Sequence, residues 1–146
     1  MNIFLNPHII SNLVLAITSL FVFFRYFRLQ SVLIRWLWGI FFGSISMVAL
    51  ADLLLYAGVD SVEFTQEMLV AAEMTIGALC LVTASWCLIM RYEAGPFLFY
   101  STIGLGILLF YCITWFRVEY VGLIIKSFCI LVTLLISCVG LASRQK

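Results

Sequence analysis

Apolar residues run along this chain in five long blocks that are separated by short polar connections. The blocks cover about 7–27, 32–57, 68–90, 97–116 and 120–142. Each meets the requirement of roughly 20 mostly apolar residues for a helix that crosses a bilayer. Asn6-Pro7 is a helix-start signal, and Gly58 and Gly95-Pro96 are typical of the breaks between helices. The pattern predicts an all-α integral membrane bundle of five transmembrane helices.

The polar connections are too short to hold a further folded unit, so residues 1–146 form a single transmembrane domain. Short connections also favour antiparallel packing of consecutive helices. The third helix has a possible earlier start, because Asp60 with Glu63 three residues later resembles a capping box.

Composition agrees with a membrane location. The chain is 65% hydrophobic and only 10% charged, with a mean hydropathy of +1.20, whereas ordinary soluble domains carry about 25% charge. Membrane lipid is therefore an expected partner. The chain has no basic cluster of the kind that binds nucleic acid, so we expect no nucleic-acid partner.

Cysteine and histidine usage argues against metal and cofactor sites. All five cysteines lie inside apolar blocks, and His8 is the single histidine. No disulfide framework is expected from thiols in such positions. A four-ligand zinc, iron–sulfur or haem site also lacks its ligands, so we expect no metal and no cofactor.

Lysine and arginine predict the orientation. One set of helix ends carries one acid, Glu93, against six basic residues: Arg25, Arg28, Arg35, Arg91, Arg144 and Lys146. The opposite ends carry Arg117 and Lys126 against six acids, which are Asp52, Asp60, Glu63, Glu67, Glu73 and Glu119. The positive-inside rule then predicts an outer N-terminus and a cytoplasmic C-terminus. The expected location is a bacterial inner (plasma) membrane.

Three ionisable residues fall inside the blocks. Asp52 precedes the outer end of the second helix, and Glu73 and Lys126 follow the outer starts of the third and fifth. At about 1.5 Å per residue, each lies roughly 7–9 Å below the outer boundary. Charges at such depth face the bundle interior, pair, or line a wet cavity, because lipid does not solvate them. The sequence predicts a polar site where Asp52, Glu73 and Lys126 meet at one depth.

Helical periodicity extends this site into interior stripes. Small or weakly polar residues continue the faces of Glu73 (Gly77, Cys80, Ala84, Cys87), Lys126 (Ile130, Thr133, Ser137, Gly140) and His8 (Asn12, Ala16, Ser19). Small residues are enriched where transmembrane helices pack together. His8 lies on the same outer side and is a candidate member of a proton relay with the two acids.

The polar site admits three interpretations at this stage: a structural salt bridge that fixes helix register, a functional pocket, or charges solvated near the headgroups. Above it, Asp60, Glu63 and Glu67 form an acidic outer loop. That loop is either a plain solvated connection or a vestibule that attracts cations.

Gly39 and Gly43 form a Gly-x-x-x-Gly motif in the second helix. Such motifs allow close helix approach. We expect the motif to receive another helix of the same bundle, and the alternative is a homodimer seam.

The sequence leaves three classes of function open. The favoured hypothesis is binding or transport of a small polar or cationic species at the outer pocket, with transport requiring a homo-oligomer. The alternative is an accessory subunit of a larger membrane complex, in which the intramembrane charges pair helices or bind partner subunits. A lipid-directed intramembrane enzyme is the weakest candidate, because no nucleophile–base set or catalytic motif is present.

Overall fold

Five helices make up the part of the chain that the structure describes. This computed structural model describes the backbone of residues 7–27, 30–116 and 119–143, and the side chains of residues 10–25, 30–116 and 120–142. The helices are α1 (Pro7–Val22, continued by a π-helical turn at Phe23–Phe27), α2 (Val32–Tyr56), α3 (Asp60–Met90), α4 (Pro96–Phe116) and α5 (Glu119–Ser143). The described residues contain no β-strand, which confirms the predicted all-α class.

The helices have the length and the surface of membrane spans. Helices α2 to α5 are each long and apolar enough to cross a bilayer, whereas the searched part of α1, Ile10–Arg25, is apolar but shorter. Large side chains such as Phe97, Trp115 and Leu141 are exposed on the outside. Apolar surface of this extent suits lipid rather than water, and helices satisfy their own backbone groups there. The chain is a membrane protein.

The helices begin and end close to the predicted positions, except at the start of α3. Gly58 ends α2 at φ 87, and the amide of Val59 donates to the carbonyl of Leu54 at 3.1 Å. Helix α3 begins at Asp60 with a single 3₁₀ turn, ahead of the predicted position 68. The capping box expected of Asp60 and Glu63 does not form, because no side chain caps this helix start.

Consecutive helices run antiparallel, and α3 lies at the centre. Helix α1 packs on α2, where the hydroxyl of Ser46 donates to the carbonyl of Ala16 at 3.4 Å. Helix α3 contacts α2, α4 and α5, and its Thr83 hydroxyl bonds that of Thr102 on α4 at 3.1 Å. The bundle therefore has two ends. We call the end where α3 begins the acidic end and the opposite end the basic end.

The interior stripe of α3 lies where periodicity places it. Glu73, Gly77, Cys80, Ala84 and Cys87 are all buried. Ile34, Leu37 and Trp38 of α2 join this stripe in the apolar core nearer the basic end. Small side chains on α3 thus let α2, α4 and α5 approach it closely, and this brings the polar side chains of several helices together.

Candidate functional site

Glu73 and Lys126 form a salt bridge between α3 and α5. The Nζ of Lys126 donates to Oε2 of Glu73 at 2.9 Å. The Glu73 side chain is 9% exposed and that of Lys126 is 39% exposed. The carboxylate is therefore enclosed by the bundle, while the lysine stem reaches it from a more open position. An intramembrane acid of this kind is stabilised by its paired cation.

A π-helical turn in α3 holds the carboxylate. The turn spans Glu73–Gly77 and contains the fully buried Thr75, whose hydroxyl donates to the carbonyl of Ala71 at 2.8 Å. A π-helical turn contains one residue more than an α-turn and often occurs at functional sites. The extra residue changes the helical phase, so the part of α3 beyond Gly77 is rotated relative to the part before Glu73.

Three neighbouring helices close on this turn. A Cβ added at Gly77 would lie 2.7 Å from the Ser44 hydroxyl oxygen on α2. A Cβ added at Gly106 of α4 would lie 3.0 Å from Cα of Ile76, and one at Gly122 of α5 would lie 3.2 Å from Sδ of Met74. The turn is thus the point where α2, α4 and α5 all approach the backbone or side chains of α3.

Asp52 lies in a second polar cluster with different partners. Its Oδ1 accepts a hydrogen bond from Nε2 of Gln66 on α3 at 2.9 Å, and its Oδ2 accepts one from Nδ2 of Asn12 on α1 at 3.3 Å. The residue is half-buried. Both partners are neutral amides, so among the described side chains this carboxylate has hydrogen-bond donors and no cation.

The three ionisable residues therefore divide into two groups at different depths. The Ser44–Gly77 contact and the Asp52–Gln66 bond fix the register of α2 against α3. In that register Glu73 is level with about Met47 of α2, and Asp52 lies about 7 Å closer to the acidic end. The single depth expected from the sequence does not hold, because Asp52 is oriented by α1 and the start of α3 while Glu73 is oriented by α5.

The other predicted site residues surround these clusters. Asp60, Glu63 and Glu67 are exposed at the acidic end. Among the described residues, no three His, Cys, Asp or Glu side chains come together as metal ligands. His8 lies in α1 one turn before Asn12, and its side chain falls outside the described residues.

The two glycines of the Gly-x-x-x-Gly motif have different surroundings. A Cβ added at Gly39 would lie 3.3 Å from the ring of Phe23 in α1, whereas one at Gly43 would meet nothing within 4 Å. Within this motif, only Gly39 contacts another helix of the bundle. Closer approaches occur at Gly77, Gly106, Gly122 and Gly140. Of these four, only Gly77 and Gly140 lie on the predicted stripes.

The sequence missed Gln66 and the π-helical turn. A third helix that starts at about 68 leaves Gln66 outside it, whereas the alternative start near Asp60 includes Gln66. Its spacing of seven residues before Glu73 was the available signal, because residues seven apart share a helix face. The π-helical turn has no comparable signal in its sequence, Glu-Met-Thr-Ile-Gly.

Comparison with known proteins yields no relative for this site or this bundle. No protein-family model, no curated protein and no solved structure matches the chain.

Proposed function

We propose that this membrane protein binds a small cationic species at Asp52. The observation that carries the proposal is the difference in charge partner between the buried carboxylate of Glu73 and the half-buried carboxylate of Asp52. Glu73 is neutralised by Lys126 at 2.9 Å, whereas the described partners of Asp52 are the amides of Asn12 and Gln66. A carboxylate inside a membrane is costly without a compensating positive charge, and a bound cation supplies one.

The ligands around Asp52 suit such a cation. Carboxylate and amide oxygens are the ligands that hard cations prefer in proteins. Asn12 and Gln66 each carry a carboxamide oxygen that turns toward a cation by rotation of the side-chain amide, since the two amide atoms differ little in shape. Three helices, α1, α2 and α3, therefore contribute one oxygen-bearing side chain each.

The surroundings favour entry of cations from the acidic end. Asp60, Glu63 and Glu67 are exposed there, and acidic groups at an entrance raise the local concentration of cations. By the positive-inside rule we propose that this end faces outward from a bacterial inner membrane. Transport of the bound species is the further activity we propose, and it requires an oligomer, because five helices are a small scaffold for alternating access.

The second candidate is an accessory subunit whose intramembrane charges pair helices. The salt bridge between Glu73 and Lys126 favours it, because it joins two helices of the same chain deep in the bundle. In this alternative, Asp52 and its amides are a further structural cluster, and no soluble cation stabilises the protein.

Cation-dependent thermal stability separates the two candidates. The protein in lipid nanodiscs is melted at constant ionic strength in chloride salts of sodium, potassium, calcium or methylammonium, with N-methylglucamine as the reference. A cation at about 100 times its Kd stabilises the folded state by about 2.7 kcal/mol. We expect at least one cation to raise the Tm of the wild type and to have no effect on Asp52→Asn.

Glu63→Gln is the matched control, because it removes an exposed acid of the same end and should keep the response. A wild-type Tm that no cation raises would contradict cation binding and favour the subunit. An Asp52→Asn variant that responds like the wild type would place the cation elsewhere.

A further inference from the structure

A groove opens between α3, α4 and α5 at the acidic end. Its volume is about 710 Å³, and ten of the described residues, from the three helices, line it. Ligand-binding clefts for small molecules range over about 300–1,000 Å³. Gln66, which donates a hydrogen bond to Asp52, is one of the lining residues. The groove therefore adjoins the Asp52 cluster at Gln66 and extends from there toward α4 and α5.

One face of α3 forms the length of the groove. Phe64, Glu67, Ala71 and Met74 line it, and their spacing of three, four and three residues places them on a single helix face. From Glu67 to Met74 this face extends about 10 Å along the helix. The polar group lies toward the exposed start of the helix, and the apolar groups lie deeper in the bundle.

The deep part of the groove is apolar and adaptable. Met74 lies against Gly122 of α5, where an added Cβ would be 3.2 Å from its Sδ, and Ile113 of α4 is buried beside them. Methionine side chains reshape easily around apolar ligands. An apolar body of variable outline therefore suits this part of the groove.

The rim of the groove favours a positively charged ligand. Glu67 is exposed, and it makes no hydrogen bond or ion pair with a described side chain. Phe64 beside it is 69% exposed, and an aromatic face attracts cations. Among the residues that the structure describes, no basic side chain lines the groove, and Lys126, the basic residue of α5 described nearby, is paired with Glu73. The described lining therefore offers a cation a negative charge and offers an anion no positive one.

We propose that the groove between α3, α4 and α5 binds a lipophilic monocation, with its charge at Glu67 and its apolar body on Met74 and Ile113. The ligand enters from the outer leaflet along the open side of the groove. The site does not rest on the function proposed at Asp52, and it holds whether or not Asp52 binds a small cation.

Tetraphenylphosphonium and tetraphenylborate test the proposal, because the two ions have the same shape and opposite charge. Binding of radiolabelled tetraphenylphosphonium to the protein in nanodiscs is measured by equilibrium dialysis, with empty nanodiscs subtracted. We expect saturable binding of about one ion per chain and no competition by tetraphenylborate. Removing the carboxylate in Glu67→Gln should weaken binding about tenfold, because it deletes one close charge pair in a partly enclosed site.

Two further variants make the result specific. Glu63→Gln removes an exposed acid one turn away that is not among the described lining residues, and it should bind like the wild type. Ala71→Leu should reduce binding by filling the groove. Uptake no greater than in empty nanodiscs, or equal affinity of wild type and Glu67→Gln, would overturn the proposal.

Discussion

The two carboxylates inside this bundle are held by different chemistry. Glu73 has a full charge partner on α5 at 2.9 Å, while Asp52 has two neutral donors on α1 and α3. A salt bridge removes net charge from the membrane interior, whereas amide hydrogen bonds stabilise a carboxylate without neutralising it. The two acidic residues therefore differ in their charge partners, and we propose a ligand-binding role for Asp52 alone.

The salt bridge predicts unequal effects of removing its two partners. Lys126→Met leaves the enclosed Glu73 carboxylate without a cation, and we expect the free energy of unfolding to fall by about 3 kcal/mol. Glu73→Leu should cost only about 1 kcal/mol, because Lys126 is 39% exposed and can extend toward the headgroups. Unfolding in bicelles measures both.

The double variant Glu73→Leu with Lys126→Met is the control for this pair. We expect it to recover most of the stability that Lys126→Met loses, since neither charge is then left alone. Additive losses in the double variant would mean that the two side chains contribute to stability independently.

Removing the charge of Asp52 should not destabilise the protein, in contrast to removing the charge of Lys126. Asp52→Asn removes an uncompensated charge while keeping a side chain that bonds to Asn12 and Gln66, so in N-methylglucamine its Tm should equal or exceed that of the wild type. Thermal melting measures the difference. A large drop in Tm in the reference salt would show that the charged carboxylate itself stabilises the fold.

The sequence identifies the three ionisable residues and brings Lys126 together with Glu73, but it does not identify the amide partners of Asp52. Partner choice depends on rotation about each helix axis, and the π-helical turn at Glu73–Gly77 changes that rotation within α3. Gln66 was missed because the helix start was placed after it. Hydropathy alone sets an approximate depth, which is why the separation of Asp52 from Glu73 could not be predicted.

Among the elements, α3 has the largest departure from regular helix and the closest neighbours. The π-helical turn presents Ile76 to Gly106 of α4 and Met74 to Gly122 of α5. Transmembrane helices depend on such close packing, because lipid gives them no hydrophobic driving force to associate. The contact at Gly106 meets backbone, which cannot move aside as a flexible side chain does.

Two glycines of α4 give a matched test of this contact. A Cβ at Gly106 would lie 3.0 Å from Cα of Ile76, whereas one at Gly104 would meet nothing within 4 Å. Gly106→Ala should therefore destabilise the protein by about 1–3 kcal/mol, and Gly104→Ala should change stability by less than about 0.5 kcal/mol. Chemical unfolding of both variants measures the difference.

Equal stability of the two variants would mean that α4 moves away from α3 at little cost.

The helix spans themselves were predictable, since long apolar blocks and Gly58 mark them in the sequence. The glycines that matter for packing were only partly predictable, because Gly39 and Gly43 share a motif and only Gly39 contacts another helix.

The whole molecule is an up-and-down bundle with segregated charge at its two ends. Exposed acids at 60, 63 and 67 lie at the acidic end, and exposed Arg25 and Arg91 lie at the basic end. Alternation of helix direction follows from short connections, so this arrangement was predictable from the sequence. The orientation in the membrane stays a prediction of the positive-inside rule.

Labelling of one introduced cysteine checks the orientation of the protein in the membrane. Ser61 at the acidic end and Glu93 at the basic end are both exposed, so Ser61→Cys and Glu93→Cys place a reactive thiol on opposite sides. With a membrane-impermeant maleimide on intact cells, we expect labelling of Ser61→Cys alone, and labelling of Glu93→Cys only after permeabilisation. The wild type, whose cysteines lie within the helices, measures the background. The reverse pattern would invert the topology.

Infrared difference spectroscopy shows whether the Asp52 carboxylate binds a cation. Spectra of the protein in lipid are compared while N-methylglucamine is exchanged for the cation that raises the Tm most. We predict a shift of carboxylate stretching bands in the wild type and in Glu63→Gln, with that shift absent in Asp52→Asn. If the same bands shift in Asp52→Asn, or if none shift in the wild type, Asp52 does not bind the cation.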